Sequence, residues 1–501
     1  MKKLTRKQKL KLNNYASLTN QLVSVISAFV LPRLILGFYG SELNGLVSSI
    51  TQFISFISMM ELGVGAVVQT SLFKPLAEKN YTQISRVLTS ANKFFKLICK
   101  IFIGYVIILL IFIPMKFIDS FNYLYTASLV LILSISSFAQ YYFGLVNTIL
   151  LSADQKSFID LFLNIIITIL NIFVSIVLIN YFHSSIQVFK LVTVLIYLIK
   201  PVLLYLYVKK HYNINLKEQY DEEPIKQKWN GLAQHIAFII TSNTDVAVLT
   251  FFSTLSNISV YTVYSLVTNG LKNLAYSFSI GYQSMFGNIL AKNEISVLNK
   301  EFSEIEWKMH TLVSWLFGTA ATLIVPFVSV YTANIHDANY INYYFGYVMV
   351  LAQGLYCLRL PYNTIILSAG HYKETQNSSI IEAIINVVLS LILVKKFGLV
   401  GVACGTATAM LYKTIYLVFY LKNNILLRNP KIFIKHIIVD LIMIAGIFLY
   451  ANLFKLESVS YISWIILAIK VSIGTIIIVI VVNMIFYPEK FKKIKNKLFA
   501  R

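Results

Sequence analysis

Five charged residues interrupt long apolar stretches of this sequence: Arg33, Glu61, Asp245, Lys272 and Arg359. At the centre of a bilayer an ionisable side chain costs about 2.5–3.5 kcal/mol on insertion scales, so each needs a charged partner or a water-filled cavity. Two readings are open. The residues form a site on a transport pathway, or they form ordinary ion pairs between helices, in which Glu61 or Glu382 neutralises Lys272 or Arg359.

Lys272 and Arg359 lie deep in their stretches. Lys272 follows Ile258 by 14 residues, which is about 21 Å along a helix that rises 1.5 Å per residue. Arg359 follows Tyr343 by 16 residues and lies at a similar depth. Both are too far from the ends for easy snorkelling. Arg33 is close to an end, so its side chain can extend to the surface.

The other ionisable residues show no spacing typical of a site. Six residues lie near the ends of their stretches or in stretches whose limits are uncertain, and we expect them at the membrane interface: Asp160, Lys190, Lys200, Lys413, Asp440 and Lys470. Four histidines without ligand spacing are scattered near predicted loops: His183, His235, His310 and His371. Three cysteines without a CxxC pattern lie in or beside apolar runs: Cys99, Cys357 and Cys404. We therefore predict no catalytic residues and no metal site.

The composition indicates the class of protein that positions these charges. Of 501 residues, 57% are apolar and 13% are charged, and the mean hydropathy is +0.71. Soluble domains carry about 25% charged residues, so this chain lacks the polar surface of a soluble protein. The composition also excludes disorder and predicts an all-α integral membrane protein.

About fourteen stretches are long enough to cross a bilayer, which takes about 20 apolar residues. The predicted spans are 15–37, 43–70, 94–115, 127–151, 158–179, 186–207, 232–253, 258–286, 309–331, 343–368, 378–396, 399–421, 432–454 and 459–486. No predicted outer loop is longer than about a dozen residues.

Lysine and arginine set the orientation. With the N-terminus inside, the inner segments hold 30 basic residues and the outer loops hold four, Lys116, Lys395, Lys396 and Lys455. The positive-inside rule therefore predicts a multi-pass protein with both termini in the cytoplasm. Since the net charge of +22 is spread over the inner loops, it indicates no nucleic-acid partner.

The sequence repeats itself at a spacing of about 215 residues. Leu-Ser-Ala at 151–153 returns at 367–369, and the pattern at 171–175 returns at 386–390. We therefore predict two six-helix lobes, 1–207 and 232–421, joined by a cytoplasmic linker, 208–231. The appended segment 422–501 holds two further helices and a basic tail. Because six is even, the repeat is parallel, which is typical of two-lobed transporters that work by alternating access.

Several motifs carry a resemblance to a known family. The first half contains PRLILGFYGSELNGL (32–46), ELGVG (61–65) and LFKPLAEKNYTQI (72–84), and the second contains ILSAG (366–370) and FGLVG (397–401). This succession resembles the polysaccharide-unit (Wzx-type) flippases of the MOP exporter superfamily, which also includes lipid II flippases and MATE drug exporters. One departure is HSSIQVF (183–189), where the first half lacks a counterpart of FGLVG.

The resemblance implies a transporter of the bacterial cytoplasmic membrane and not an enzyme. Its expected substrate is an undecaprenyl-pyrophosphate-linked oligosaccharide repeat unit for capsule or other surface polysaccharide. The expected partners are this lipid-linked oligosaccharide, the bilayer and polysaccharide polymerase machinery. Transport is expected to use a sodium or proton gradient without a bound cofactor, and the sequence has no GxxxxGK[ST] loop for a nucleotide.

Given such a substrate, fixed cations are expected to receive its pyrophosphate. Arg359 offers a bidentate fork for phosphate oxygens, and Lys272 a point charge. We expect both to meet the headgroup from the cytoplasmic leaflet and Arg33 to receive it as the protein opens outward. Glu61 would be the counter-charge of the empty site.

In related lipid II flippases, an acidic residue on the seventh span has been linked to cation binding. Asp245 has this position, and Glu382, Asn386 and Thr406 are the polar residues expected to converge with it. The alternative is a buried aspartate that pairs with a cation of its own lobe.

Other functions fit parts of the sequence. A lipid II flippase or a MATE-like drug exporter is the nearest alternative, although drug exporters of the superfamily usually stop at twelve spans. A membrane glycan polymerase or glycosyltransferase belongs to another class, and it would need catalytic acids on a long outer loop.

The orientation predicts which positions external reagents reach. Single cysteines at 117–123 and 333–340 should react with a membrane-impermeant thiol reagent in intact cells, and those at 212–228 should react only after permeabilisation. External labelling of 212–228 would contradict both the orientation and the assignment of a cytoplasmic linker.

Overall fold

The computed structural model describes residues 5–60, 64–220, 232–426 and 428–492, and each regular element among them is a helix. The predicted all-α class is therefore confirmed. The chain divides into two compact units, Met1–Ile239 and Ile240–Arg501. This division falls inside a helix near the start of the predicted second lobe. The predicted domain limits themselves stay a prediction.

The first unit contains seven α-helices, a 3-10 turn at Phe56–Met60 and a π-helical turn at Gln140–Gly144 among its described residues. The helices are α1 (Arg6–Ser55), α2 (Val64–Glu78), α3 (Tyr81–Lys116), α4 (Tyr123–Ala139), α5 (Leu145–Ala153), α6 (Ser157–Asn180) and α7 (Ile186–His211).

The boundary between the two units lies within α8 (Leu232–Phe252). Eight more helices follow in the described part of the second unit: α9 (Leu255–Ile280), α10 (Gln283–Ala291), α11 (Ile295–Tyr331), α12 (Tyr343–Leu358), α13 (Leu360–Ser368), α14 (Tyr372–Asn424), α15 (Lys431–Ala451) and α16 (Tyr461–Phe486).

Nine helices of the described chain are long and apolar enough to cross a membrane. Two of them, α1 and α14, contain a glycine with a non-helical backbone, Gly40 (φ 82°, ψ 177°) and Gly398 (φ 53°, ψ −128°). Each glycine lies between two predicted spans. Other predicted spans fall on interrupted helices, such as α12 and α13, which meet at Arg359. The protein is multi-pass, and the count of fourteen stays a prediction.

Polar side chains mark where helices begin. The Asn122 carboxamide oxygen accepts a hydrogen bond from the Leu124 backbone N–H at 2.9 Å. Similar caps begin α7, α9, α12 and α16 at Ser185, Thr254, Asn342 and Ser460. A cap satisfies an N–H group that has no partner within its helix. The polar turns of the sequence therefore determine where these apolar helices start.

Directly after α5 in the first unit, Asp154 joins three elements. Its carboxylate lies 3.1 Å from Lys9 Nζ and 2.7 Å from Lys156 Nζ, and the Tyr212 hydroxyl donates to it at 2.5 Å. Burial acts to raise the pKa of Asp154. The hydrogen bonds from Lys156 and Tyr212 and the lysine charges outweigh burial and hold this pKa below its ordinary value. The ion pair with Lys9 and the hydrogen bond from Tyr212 together tie the start of α1 to the end of α7.

The predicted linker is attached to the first unit over its first residues. The Asn215 backbone N–H donates to Ser85 Oγ at 3.0 Å, and the Thr89 hydroxyl donates to the Asn215 carbonyl at 3.4 Å. Residues 212–220 therefore pack against α3. Residues 221–231 lie outside the described part of the chain.

In the second unit, α15 and α16 pack against α11. The Trp307 indole N–H and the Thr311 hydroxyl donate to the Asn483 side chain at 2.7 and 3.2 Å. Val439, Met443 and Ile447 are buried beside Trp307 in the same core. In lipid, helices associate through close packing and polar contacts of this kind. The appended helices are thus an integral part of the second unit.

The glycines of the FGLVG region allow α14 to fold back on itself. Gly398 has the positive φ that the turn requires. A Cβ atom on Gly405 would lie 2.5 Å from Ser390 Oγ and 2.8 Å from the Ser390 backbone nitrogen. Only a glycine lets the arm at 399–424 approach the arm at 372–397 this closely.

This contact predicts opposite effects for two Gly→Ala substitutions. Gly405→Ala should destabilise the protein by about 1–3 kcal/mol, because the Ser390 backbone must move. The control Gly104→Ala has open space around the new methyl group and should be neutral or stabilising by up to about 1 kcal/mol. Thermal unfolding of both purified variants measures the difference. Equal midpoints would contradict the described packing of the arms.

Candidate functional site

Arg359 lies at the break between α12 and α13. It ends one helix and precedes the other, and Pro361 occupies the first turn of α13, where its missing N–H has no cost. The arginine is only 7% exposed. Its Nη1 atom lies 2.5 Å from Oε1 of Glu382, which is also buried, on α14. The structure therefore contains the ion pair between Arg359 and Glu382 that the sequence analysis considered.

Two lysines complete a cationic cluster around this pair. The Tyr356 ring lies 4.6 Å from Arg359 Cζ and 5.5 Å from Lys272 Nζ. Lys413, 4% exposed, donates to Ser378 Oγ and Ser379 Oγ at 2.7 Å each. We call Lys272, Arg359 and Lys413 the cationic cluster. In the described part of the chain, Glu382 is the one carboxylate that contacts it directly.

A second group of polar side chains surrounds Asp245 on α8. The Thr406 hydroxyl lies 2.7 and 2.9 Å from its two carboxylate oxygens, and the Tyr261 hydroxyl donates to it at 2.8 Å. Asn386 donates to Thr406 Oγ1 at 2.9 Å, and its own carboxamide oxygen has no hydrogen-bond partner. Among the described residues, no lysine or arginine forms an ion pair with Asp245.

The donor set around Asp245 suits a small hard cation. It combines a carboxylate, an amide oxygen and hydroxyl oxygens, the ligand types that such ions prefer. The group is almost fully buried, with Asp245 5% and Asn386 0% exposed. A buried carboxylate without an ion-pair partner favours either a bound cation or a proton. No group of three His, Cys, Asp or Glu side chains that could hold a metal occurs within the described ranges.

The predicted site residues are thus distributed over several places. Asp245, Asn386 and Thr406 come together, whereas Glu382 contacts Arg359 instead. Glu382 and Asn386 lie one helical turn apart on α14, so they share a face but reach different neighbours. Arg33 is half-buried on α1 in the first unit. Glu61 lies outside the described residues.

Lys413 and Asp440 are both buried within the protein, and their expected position at the membrane interface stays a prediction. Tyr261 and Tyr356 were not singled out in the sequence. For the polar residues of α14, by contrast, the sequence contained a signal. The buried polar residues of its first arm recur at a helical period, which places them on one face. They are Thr375, Ser378, Ser379, Glu382, Asn386 and Ser390.

No family model and no curated protein sequence matches this chain. Solved structures match its fold. The lipid II flippase MurJ, in an inward closed conformation, is 17% identical with a TM-score of 0.72, and the match covers 95% of this chain and 98% of MurJ.

Drug transporters match over less of the chain. An inward-facing multidrug resistance MATE family transporter of the MOP superfamily is 13% identical, with a TM-score of 0.60, covering 79% of this chain and 93% of the transporter. The Vibrio cholerae MATE transporter VcmN in the bent form is 11% identical, with a TM-score of 0.55, covering 83% and 96%. This chain is a multi-pass, all-helical membrane protein with the fold of MurJ and of MATE transporters of the MOP superfamily.

Proposed function

We propose that this protein flips an undecaprenyl-pyrophosphate-linked oligosaccharide repeat unit across the bacterial cytoplasmic membrane by alternating access. The observation that carries the proposal is the cationic cluster of Lys272, Arg359 and Lys413. Arg359 and Lys413 are buried and Lys272 is half-buried, and among the described residues Glu382 is the one carboxylate that contacts the cluster, through Arg359. Even when Asp245, which interacts electrostatically with Lys272, is counted, one positive charge of this group stays uncompensated.

An anionic headgroup would supply the missing charge. A pyrophosphate carries two or more negative charges, and its oxygens match the fork of Arg359. Glu382 holds this fork in place while the site is empty. Phosphate oxygens would compete with Glu382 for Arg359 and pair with the two lysines as point charges.

The alternatives differ in how well they fit this charge. A cationic or neutral drug would leave the excess positive charge unpaired, so the cluster favours an anionic substrate over a MATE-like drug. Lipid II is the second candidate substrate, supported by the extent of the similarity to MurJ. A glycan polymerase would need a large outer catalytic loop, and the predicted outer loops are short.

We further propose that the group around Asp245 couples transport to a sodium or proton gradient. Asn386 and Thr406 lie on the two arms of α14, and Glu382 lies on the first of them. Ion binding at Asp245 would therefore involve residues of α14, the same helix that carries Glu382, the partner of Arg359. This arrangement supports coupling between ion and substrate through one structural element.

Charge-neutral substitutions in the cationic cluster should abolish export. Lys272→Gln, Arg359→Gln and Lys413→Gln should each weaken headgroup binding about 10- to 100-fold, the effect of one lost hydrogen bond to a charged group. Arg359→Lys should retain part of the activity, and Lys455→Gln, which removes an exposed outer lysine, should retain all of it. Surface polysaccharide and lipid-linked intermediates, measured in a gene-deletion strain complemented with each variant, check these outcomes.

The intermediate that accumulates on the inner face identifies the substrate. Oligosaccharide repeat units are expected, and accumulation of lipid II instead would assign the second candidate. Full export by the Lys272→Gln, Arg359→Gln double variant at wild-type abundance would contradict the role of the cluster.

The ion site makes a separate prediction. Asp245→Asn and Thr406→Val should remove the dependence of headgroup translocation on a sodium or proton gradient in proteoliposomes. Thr408→Val is the matched control, because Thr408 is exposed on the same arm of α14 and bonds only the Cys404 carbonyl. Unchanged gradient dependence in Asp245→Asn would exclude the site while leaving the substrate proposal intact.

A further inference from the structure

The second unit contains a buried group of titratable side chains that the proposed transport does not use. We call Glu306, His310, Arg428, His436 and Asp440 the histidine cluster. Glu306, His310, His436 and Asp440 are 1, 2, 2 and 5% exposed. They come from α11, from α15 and from the segment that precedes α15. The sequence indicated no site here, because the members are far apart along the chain.

Glu306 has a permanent counter-charge. Its Oε2 atom lies 2.5 Å from Arg428 Nη2, and the Tyr362 hydroxyl donates to Oε1. His436 Nε2 lies 3.3 Å from Oε2, and His436 Nδ1 lies 2.6 Å from the Tyr487 hydroxyl. A neutral His436 can accept a hydrogen bond from Tyr487 at Nδ1, while its Nε2–H group lies near Glu306 without forming a hydrogen bond.

Asp440 has no such counter-charge. Ser314 Oγ donates to its Oδ1 at 2.8 Å, and its Oδ2 lies 2.5 Å from His310 Nδ1. Across the described ranges, no lysine or arginine forms an ion pair with Asp440. Among the described residues, His310 is the group positioned to balance the negative charge of this buried carboxylate.

The charges of the cluster require one added proton. Two carboxylates and one arginine leave a net charge of −1, which one imidazolium neutralises. A second imidazolium is disfavoured because the His310 and His436 rings stack at 4.8 Å. The remaining cations lie at the edge, with Lys435 Nζ 5.0 Å from the Tyr487 ring centroid and Lys490 bound to the Ser303 carbonyl.

We propose that His310 and Asp440 form a proton-binding site whose bound proton holds α15 against α11. With the proton on His310, the pair forms a charge-assisted hydrogen bond between the two helices. By the predicted orientation, these residues lie in the inner half of the protein, so the proton comes from the cytoplasmic side.

Loss of the proton leaves an uncompensated buried charge on Asp440, which is strongly unfavourable. The packing of α15 on α11 is therefore strongest at low pH and weakens as the pH rises through the titration of the pair. Tyr362, which contacts Glu306, lies on α13 three residues after Arg359.

Nitrogen NMR of ¹⁵N-histidine-labelled full-length protein in lipid nanodiscs measures the proton directly. The wild type should show one imidazolium signal at pH 7.5, and His310→Gln should remove it. Asp440→Asn keeps the size of the side chain and one hydrogen-bond acceptor but removes the negative charge. His310 should therefore become neutral at the same pH. A neutral His310 in the wild type, or an imidazolium that persists in Asp440→Asn, would overturn the proposal.

Thermal unfolding provides a second readout that needs no transport. Between pH 6.5 and 9 the wild-type midpoint should fall by about 5 °C or more. Asp440→Asn should fold and show little dependence on pH, and the control Asp119→Asn, at an exposed position of the first unit, should keep the wild-type profile. Parallel profiles for the wild type and Asp440→Asn would contradict the site. Neither measurement depends on the proposed substrate.

Discussion

The ion pair between Arg359 and Glu382 connects the main features of the second unit. It joins the break between α12 and α13 to the first arm of α14 at 2.5 Å. Neither charge could be buried without the other, because an isolated charge among apolar helices is strongly unfavourable. The pair therefore requires α12, α13 and α14 to pack together, and it holds the guanidinium near the half-buried Lys272 and the buried Lys413.

From this pair, polar side chains continue along α14. Glu382, Asn386 and Ser390 follow one another at intervals of four residues, and Asn386 contacts Thr406 on the returning arm. The close approach of the arms depends on Gly398 and Gly405, so the FGLVG region has a physical role. Residues of the cationic cluster and of the Asp245 group consequently share one helical hairpin, and the proposed coupling between ion and substrate rests on this shared element.

Three of the buried carboxylate groups of the second unit show three ways to satisfy a charge. Glu382 has a direct arginine partner. Asp245 is surrounded by hydroxyl and amide groups and has no ion-pair partner among the described residues, which favours a bound cation or proton. Asp440 faces a histidine, whose protonation state decides whether the pair is neutral. These differences in surroundings are the basis for proposing substrate binding, ion coupling and proton binding at different places within one fold.

The sequence by itself determined the class of the protein, because hydropathy and span length are local properties and the lysine and arginine asymmetry needs only the order of the loops. It also indicated the importance of Arg359, Lys272 and Asp245, since charges deep in apolar spans are costly wherever the helix packs. Only the tertiary structure decided their partners. Helical periodicity places Glu382 and Asn386 on one face of α14, but packing brings Arg359 to the first and Thr406 to the second. Burial of Lys413 and Asp440 was likewise decided by packing, because distance from a span end does not determine which neighbouring helices cover a side chain.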